Sequence, residues 1–102
     1  MKVYCTAEFK AKEGREDELF NALKALEKPT HEEEGCVQYK VMRKIENEFA
    51  QGEHYGILMN EIWANEQAFE EHCQMPYIAN FFESQCVSDL GSAAKWNVNL
   101  LK

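Results

Sequence analysis

No apolar run in the 102-residue chain approaches the roughly twenty residues that a bilayer span requires. The opening stretch, M-K-V-Y-C-T, has no signal-peptide core. Basic residues are also few: eleven Lys and Arg stand against eighteen Asp and Glu, and the resulting net charge is −7. The cations are scattered along the chain. Nucleic acid and anionic membrane surfaces need a clustered basic footprint, so neither is expected as a partner. There are two prolines and five glycines, and no low-complexity segment. The four cysteines, Cys5, Cys36, Cys73 and Cys86, form no C-x-x-C pair. Without an export signal they read as reduced, mostly buried thiols of a cytoplasmic protein. There is no G-x-S-x-G, no P-loop and no G-x-G-x-x-G. His31 has no second ligand at a metal-binding spacing, and the adjoining acidic run Glu32–Glu34 reads as a solvated turn.

What remains is an ordinary globular composition, 45% hydrophobic and 28% charged, in a length that makes one domain. Val3, Cys5, Ala7 and Phe9 alternate with Lys2, Tyr4, Thr6, Glu8 and Lys10, which predicts a first strand. Gly14 breaks it. Leu19, Leu23 and Leu26 then recur at helical spacing, widened by Phe20, Ala22 and Ala25. Acidic Glu16, Asp17 and Glu18 open this helix and Lys24 and Lys28 lie toward its end, which suits its dipole. Pro29 is expected to end or kink it. Val37, Tyr39 and Val41 alternate with Gln38, Lys40 and Met42 as a second strand, followed by a polar loop over Glu46–Glu53.

A third strand is expected from about Tyr55 to Trp63, with Ile57, Met59 and Trp63 on one side and Leu58 and Ile62 on the other. A strand apolar on both sides must be covered on both. Asn65 is a good N-cap for a second helix, on which Ala68, Phe69, His72 and Cys73 share one face. Pro76 can open a further helix carrying the stripe Ile78, Phe81, Phe82 and Cys86. Gly91 and Ser92 end it, and Trp96, Val98 and Leu100 alternate as a fourth strand. The order is α+β, a ferredoxin-like β-α-β-β-α-β with an interrupted second helix. Two helices cover one face of such a sheet. The other face would be bare, so a homodimer packed sheet against sheet is expected, with one pocket per subunit.

A histidine in an apolar stripe is commonly hydrogen-bonded packing, and a tryptophan closing a strand is commonly core. Histidine is also the side chain whose charge small environmental shifts set near neutral pH. Cys73 adjoins His72, but neighbours on a helix do not face each other. The pocket walls expected from the pattern are Tyr39, Met59, Trp63, Phe69, Tyr77, Phe81 and Phe82. An apolar, aromatic-rich site around one histidine suits a flat aromatic ligand, with His72 as general base or hydrogen-bond partner to a hydroxyl.

Three short elements occur in order: E-G-C-x-x-Y (Glu34 to Tyr39), E-x-W (Glu61 to Trp63) and E-x-H-x-x-x-P (Glu70 to Pro76). Together, across nearly the whole chain, they resemble the antibiotic biosynthesis monooxygenase family. The resemblance implies a dimeric α+β barrel and, in many members, oxygenation of quinols or polycyclic phenols without a cofactor. Heme-degrading members carry Asn, Trp and His where this chain has Ala7, His72 and Phe82, so heme degradation is not implied. Anthrone oxygenases share Trp63, but carry Asn and Tyr where this chain has Met59 and Phe69. The quinol monooxygenase branch is the most similar. It has His at the position of His72 and a comparably long loop between strands two and three, although its His after the proline is Tyr77 here.

The resemblance implies that His72 takes a phenolic proton and Trp63 shapes the ring site, with Tyr39 or Tyr77 hydrogen-bonding the far oxygen. It implies O₂ as co-substrate and calls on no flavin or metal. Two alternatives stay open. One is a binding module for a small aromatic metabolite without turnover. The other is an isomerase of a small phosphorylated signalling sugar, which shares the His72 position and would need basic groups such as Arg15, Arg43 or Lys44 near the pocket.

Overall fold

The computed structural model describes residues 1–102. The alternation at the start of the chain becomes β1 (Val3–Ala11), which buries Val3, Cys5, Ala7 and Phe9 and turns Tyr4, Thr6, Glu8 and Lys10 to the other side. After it come α1 (Glu16–Lys24), α2 (Glu27–His31), β2 (Cys36–Arg43) and β3 (Ile57–Trp63). Then follow α3 (Glu66–Cys73), α4 (Pro76–Phe81), a π-helical segment (Phe82–Val87) and β4 (Ala93–Leu101). The strands form one antiparallel sheet in the order β2-β3-β1-β4. This is the expected ferredoxin-like architecture, with its second helix divided among α3, α4 and the π-helical segment. The core lies between the sheet and the helices, where Leu19, Leu23, Ile78 and Phe81 meet Phe9, Val41, Ile57 and Met59. No helix is long and apolar enough to cross a membrane.

Several local expectations are corrected. Pro29 does not end the first helix; α1 stops at Lys24, and Pro29 is the third residue of α2. The first N–H groups of a helix have no intrahelical acceptor, so proline removes nothing there. The third strand begins at Ile57 rather than Tyr55, because Gly56, at φ 115°, turns the chain just before it. A bulge between Cys36 and Gln38 throws Val37 out of the alternation, and it is exposed. Of the four free thiols only Cys5 and Cys86 are buried; Cys73, the last residue of α3, is exposed. Trp96, Val98 and Leu100 do lie on the helix side by register with Phe9, Ala7 and Cys5, yet all three are exposed, because β4 packs chiefly against the π-helical segment, whereas the other edge strand, β2, is covered by α1 and α2.

Two devices hold α3 in place. Asn65 caps it, its side-chain oxygen accepting from Ala68 N at 2.8 Å, and Ala64 N donates to Gly35 O at 2.8 Å. Gly35 lies so near α3 that a Cβ there would come within 2.3 Å of Ala68 Cβ. Gly35→Ala should therefore overpack this seam and destabilise the domain by about 1–3 kcal/mol. Ala68→Gly in the same chain should recover all but the helix penalty of about 1 kcal/mol. Urea unfolding of both single variants and the double variant measures this. Strictly additive losses would show that the close approach is not the cause.

Candidate active site

Alternation along β3 brings Ile57, Met59, Glu61 and Trp63 to the helix side. Register then sets Cys5 of β1 and Tyr39 of β2 on either side of Glu61. From above, α3 lowers His72 onto this row. The His72 ring centroid is 4.5 Å from that of Trp63 and 5.1 Å from that of Tyr39, so the imidazole is boxed by two aromatic faces. It is 3% exposed.

The third side of the box is a carboxylate. Glu33 Oε2 lies 2.9 Å from His72 Nδ1, and the Tyr77 hydroxyl donates to the same oxygen. Burial pulls the His72 pKa below its ordinary value, while the hydrogen bond and charge of Glu33 act the other way. The ring is therefore neutral at pH 7. An ionised Glu33 can only accept, so Nδ1 carries the hydrogen and Nε2 keeps its lone pair. Nε2 makes no hydrogen bond within the protein. Thr30 completes the surroundings: it is fully buried beside the Tyr39 and Tyr77 hydroxyls, but its Oγ1 makes no geometrically sound hydrogen bond.

A cavity of about 50 Å³ opens beside this group, and every residue lining it is hydrophobic except Glu61 and His72. Among the residues expected at the site, Tyr39, Met59, Phe69, His72, Phe81 and Phe82 line it. Trp63 and Tyr77 do not. Trp63 is packed with no exposure behind the imidazole, and Tyr77 is spent on Glu33. No group of three or more His, Cys, Asp or Glu side chains is arranged to hold a metal ion.

Two carboxylates escaped the sequence reading. Glu33 belongs to the run taken as a solvated turn. The turn after α2 instead folds it inward, leaving its side chain 9% exposed, and nothing in the local pattern signals this. Glu61 was legible: strict alternation places it between Met59 and Trp63 on the buried side. Its Oε1 accepts the Trp63 indole N–H at 2.9 Å. Burial pushes its pKa up to about 7, the charge of Glu33 adds to this, and donors on Trp63 and Cys5 oppose it.

An antiparallel ferredoxin-like domain with a buried histidine–carboxylate pair beside an apolar cavity places the chain among small α+β proteins. The family model described as antibiotic biosynthesis monooxygenase matches residues 2–84, and the chain belongs to that family. Membership supports a monooxygenase-type, enzymatic role. Protein SO0527 of Shewanella oneidensis is 26% identical, with 97% of this chain and 87% of that one covered and a TM-score of 0.79. Rv0793 of Mycobacterium tuberculosis is 20% identical, with 100% and 94% covered and a TM-score of 0.79. A Deinococcus radiodurans protein described provisionally as an antibiotic biosynthesis monooxygenase is 18% identical, with 100% and 91% covered and a TM-score of 0.77. At these last two identities the likeness is one of fold. No curated protein matches the chain in sequence.

The raised pKa of Glu61 has a consequence for stability. Between its unfolded value of 4.5 and about 7 the folded state holds a proton that the unfolded state has released. Its contribution is thus fully present below pH 4.5 and is lost as pH rises through about 7. Glu61→Gln removes the buried charge. The variant should outlast the wild type at pH 8 by up to about 3 kcal/mol, a gap that closes toward pH 5, in paired urea titrations. An equal difference at both pH values would contradict the assignment.

Proposed function

We propose that the protein is a cofactor-independent monooxygenase or oxidase that uses O₂ on a quinol or polycyclic phenol, with His72 as general base. The observation that carries this reading is the unpartnered His72 Nε2 at the wall of an apolar cavity, its tautomer set by Glu33. A hydroquinone that loses a proton to Nε2 becomes an electron-rich phenolate able to pass one electron to O₂. If the second electron and proton follow, the products are a quinone and hydrogen peroxide. If the radical pair instead joins at an unsubstituted ring carbon, the hydroperoxide formed there loses water together with that carbon's one hydrogen, so that substrate plus O₂ gives a hydroxyquinone plus water. In either course the protein desolvates the phenolate, orients it and accepts its proton. The volume of about 50 Å³ holds one or two waters, so an aromatic ring is admitted only as its walls, Phe69 and Phe82 among them, give way.

The phosphorylated-sugar reading has less support. No Lys or Arg lines the cavity. Arg15 is held by Glu18 and the Gly91 carbonyl, Arg43 by Asp17 and the Phe20 ring, and Lys44 by the Gly52 carbonyl.

Oxygen uptake with a panel of reduced quinones tests the proposal. His72→Ala should lower kcat by about 10²–10⁴-fold, the usual contribution of a general base. Wild-type activity should vanish as pH falls through the lowered imidazole pKa, below 6.5, because the protonated ring cannot accept. An undiminished His72→Ala rate would remove His72 from the scheme. Tight binding of an aromatic compound without oxygen uptake would favour the binding module.

The reading includes a homodimer. The reverse face of the sheet presents Tyr4, Ile62 and Leu101 on three neighbouring strands, with Tyr4 and Leu101 exposed. Light scattering should give twice the chain mass for the wild type and the single-chain mass for Ile62→Asp/Leu101→Asp. A monomeric wild type would refute the assembly.

A further inference from the structure

We propose that Glu61 is a second proton acceptor in this cavity, receiving from the substrate the proton that His72 does not take. The inference rests on the oxidase reading above and adds a catalytic residue to it. Glu61 and His72 are the only polar side chains lining an otherwise apolar space, one rising from β3 and the other descending from α3. The indole N–H of Trp63 occupies Glu61 Oε1 at 2.9 Å. Beyond that indole the one donor near Glu61 is the Cys5 thiol across the β1–β3 register, and Oε2 is not sealed off as the Thr30 hydroxyl is, which leaves it open to the cavity.

A purely structural role accounts poorly for this carboxylate. Burying a carboxylate is expensive unless a cation or several donors satisfy it. The groups facing Glu61 are the Cys5 thiol from β1, the Cys36 thiol and Tyr39 ring from β2, His72 and Cys73 from α3, and the Glu33 carboxylate from the turn before β2. None is a permanent cation, and Glu61 makes no ion pair. Hydrophobic residues at Ile57, Met59 and Trp63 fill the same row. The one polar position among them is kept at an energetic loss, as at a functional site. Its pKa of about 7 lets it both take and return a proton at neutral pH.

The chemistry needs two acceptors. Conversion of a hydroquinone to a quinone breaks two O–H bonds and sends two electrons to O₂. His72 Nε2 and Glu61 Oε2 hold the two protons while the electrons leave, then deliver them to the reduced oxygen as hydrogen peroxide. Substrate plus O₂ gives quinone plus H₂O₂, and both side chains return to their starting state. The substrate class narrows accordingly: two hydroxyls on one ring system, one facing the histidine of α3 and the other the carboxylate of β3.

Oxidation of 2-methyl-1,4-naphthohydroquinone by the 102-residue chain, followed by oxygen uptake across roughly pH 5–9, tests the assignment. The wild-type kcat/KM should show two acid-side inflections, one below 6.5 from His72 and one near 7 from Glu61. Glu61→Gln keeps an acceptor for the Trp63 indole. It should lower kcat by about tenfold or more, change KM less than threefold, and abolish only the upper inflection. In a Trp96→Phe background the emission of Trp63 should titrate with a midpoint near 7, and Glu61→Gln should flatten that titration. A Glu61→Gln enzyme with the wild-type rate and profile would overturn the Glu61 role and leave His72 untouched. A single inflection below 6.5 in the unsubstituted protein would do the same without any variant. If the wild type oxidises no hydroquinone, the oxidase reading falls and this role with it.

Discussion

The site depends on one hydrogen bond between residues 39 apart in sequence, from His72 Nδ1 to Glu33 Oε2. It joins the turn before β2 to α3, and through the Tyr77 hydroxyl it reaches α4 as well. Without it the imidazole would be a buried ring of undefined tautomer between Trp63 and Tyr39. With it, one nitrogen is committed and the other is left as an acceptor. The same contact gives a buried carboxylate two donors, which is what makes its burial tolerable. Packing and chemistry are therefore coupled here: Gly35, adjacent to this turn, can approach Ala68 only because it has no side chain, and that approach brings the Glu33 turn under α3.

The fold was largely legible in the residues themselves. Val3 to Phe9, Ile57 to Trp63 and the Leu19–Leu23 pair show their periods plainly, and tertiary packing obeyed them. The failures are local and have physical causes. A bulge at Val37 and a proline placed among the free N–H groups of α2 both break rules that assume regular elements. At the site, His72 was legible because it is the one polar residue on an apolar helical face. Glu61 was equally legible by period two, but a carboxylate is ordinarily assigned to solvent. Glu33 was not legible. Its burial is decided by α3 and α4, which arrive some forty residues later (39 to His72, 44 to Tyr77).

The two buried carboxylates are used differently. Glu33 takes two donors, His72 and Tyr77, on Oε2 and thereby fixes the imidazole. Glu61 holds the Trp63 indole on one oxygen and has only the Cys5 thiol as a further donor, and its proton affinity is raised by burial and by the negative charge of Glu33. Two acids of the same chain thus acquire separate duties from environment alone. The aromatic pair Trp63 and Tyr39 contributes to both, screening His72 from water on two faces while the Trp63 indole anchors Glu61.

The bulge at Val37 also sets the register of E-G-C-x-x-Y against β3. Gly35 must sit under Ala68, Cys36 opposite Trp63, and Tyr39 opposite Glu61, although the intervening strand has one residue too many for a regular ladder. The bulge absorbs that extra residue, so losing it would leave a regular ladder with the tyrosine still opposite Glu61, whereas a one-residue slip of β2 against β3 beyond the bulge would carry the ring to the far side of the sheet. The imidazole would then lose one of its two aromatic walls. The register of Tyr39 against Glu61, rather than the length of the segment or the chemistry of Val37 and Gln38, is what that aromatic wall requires.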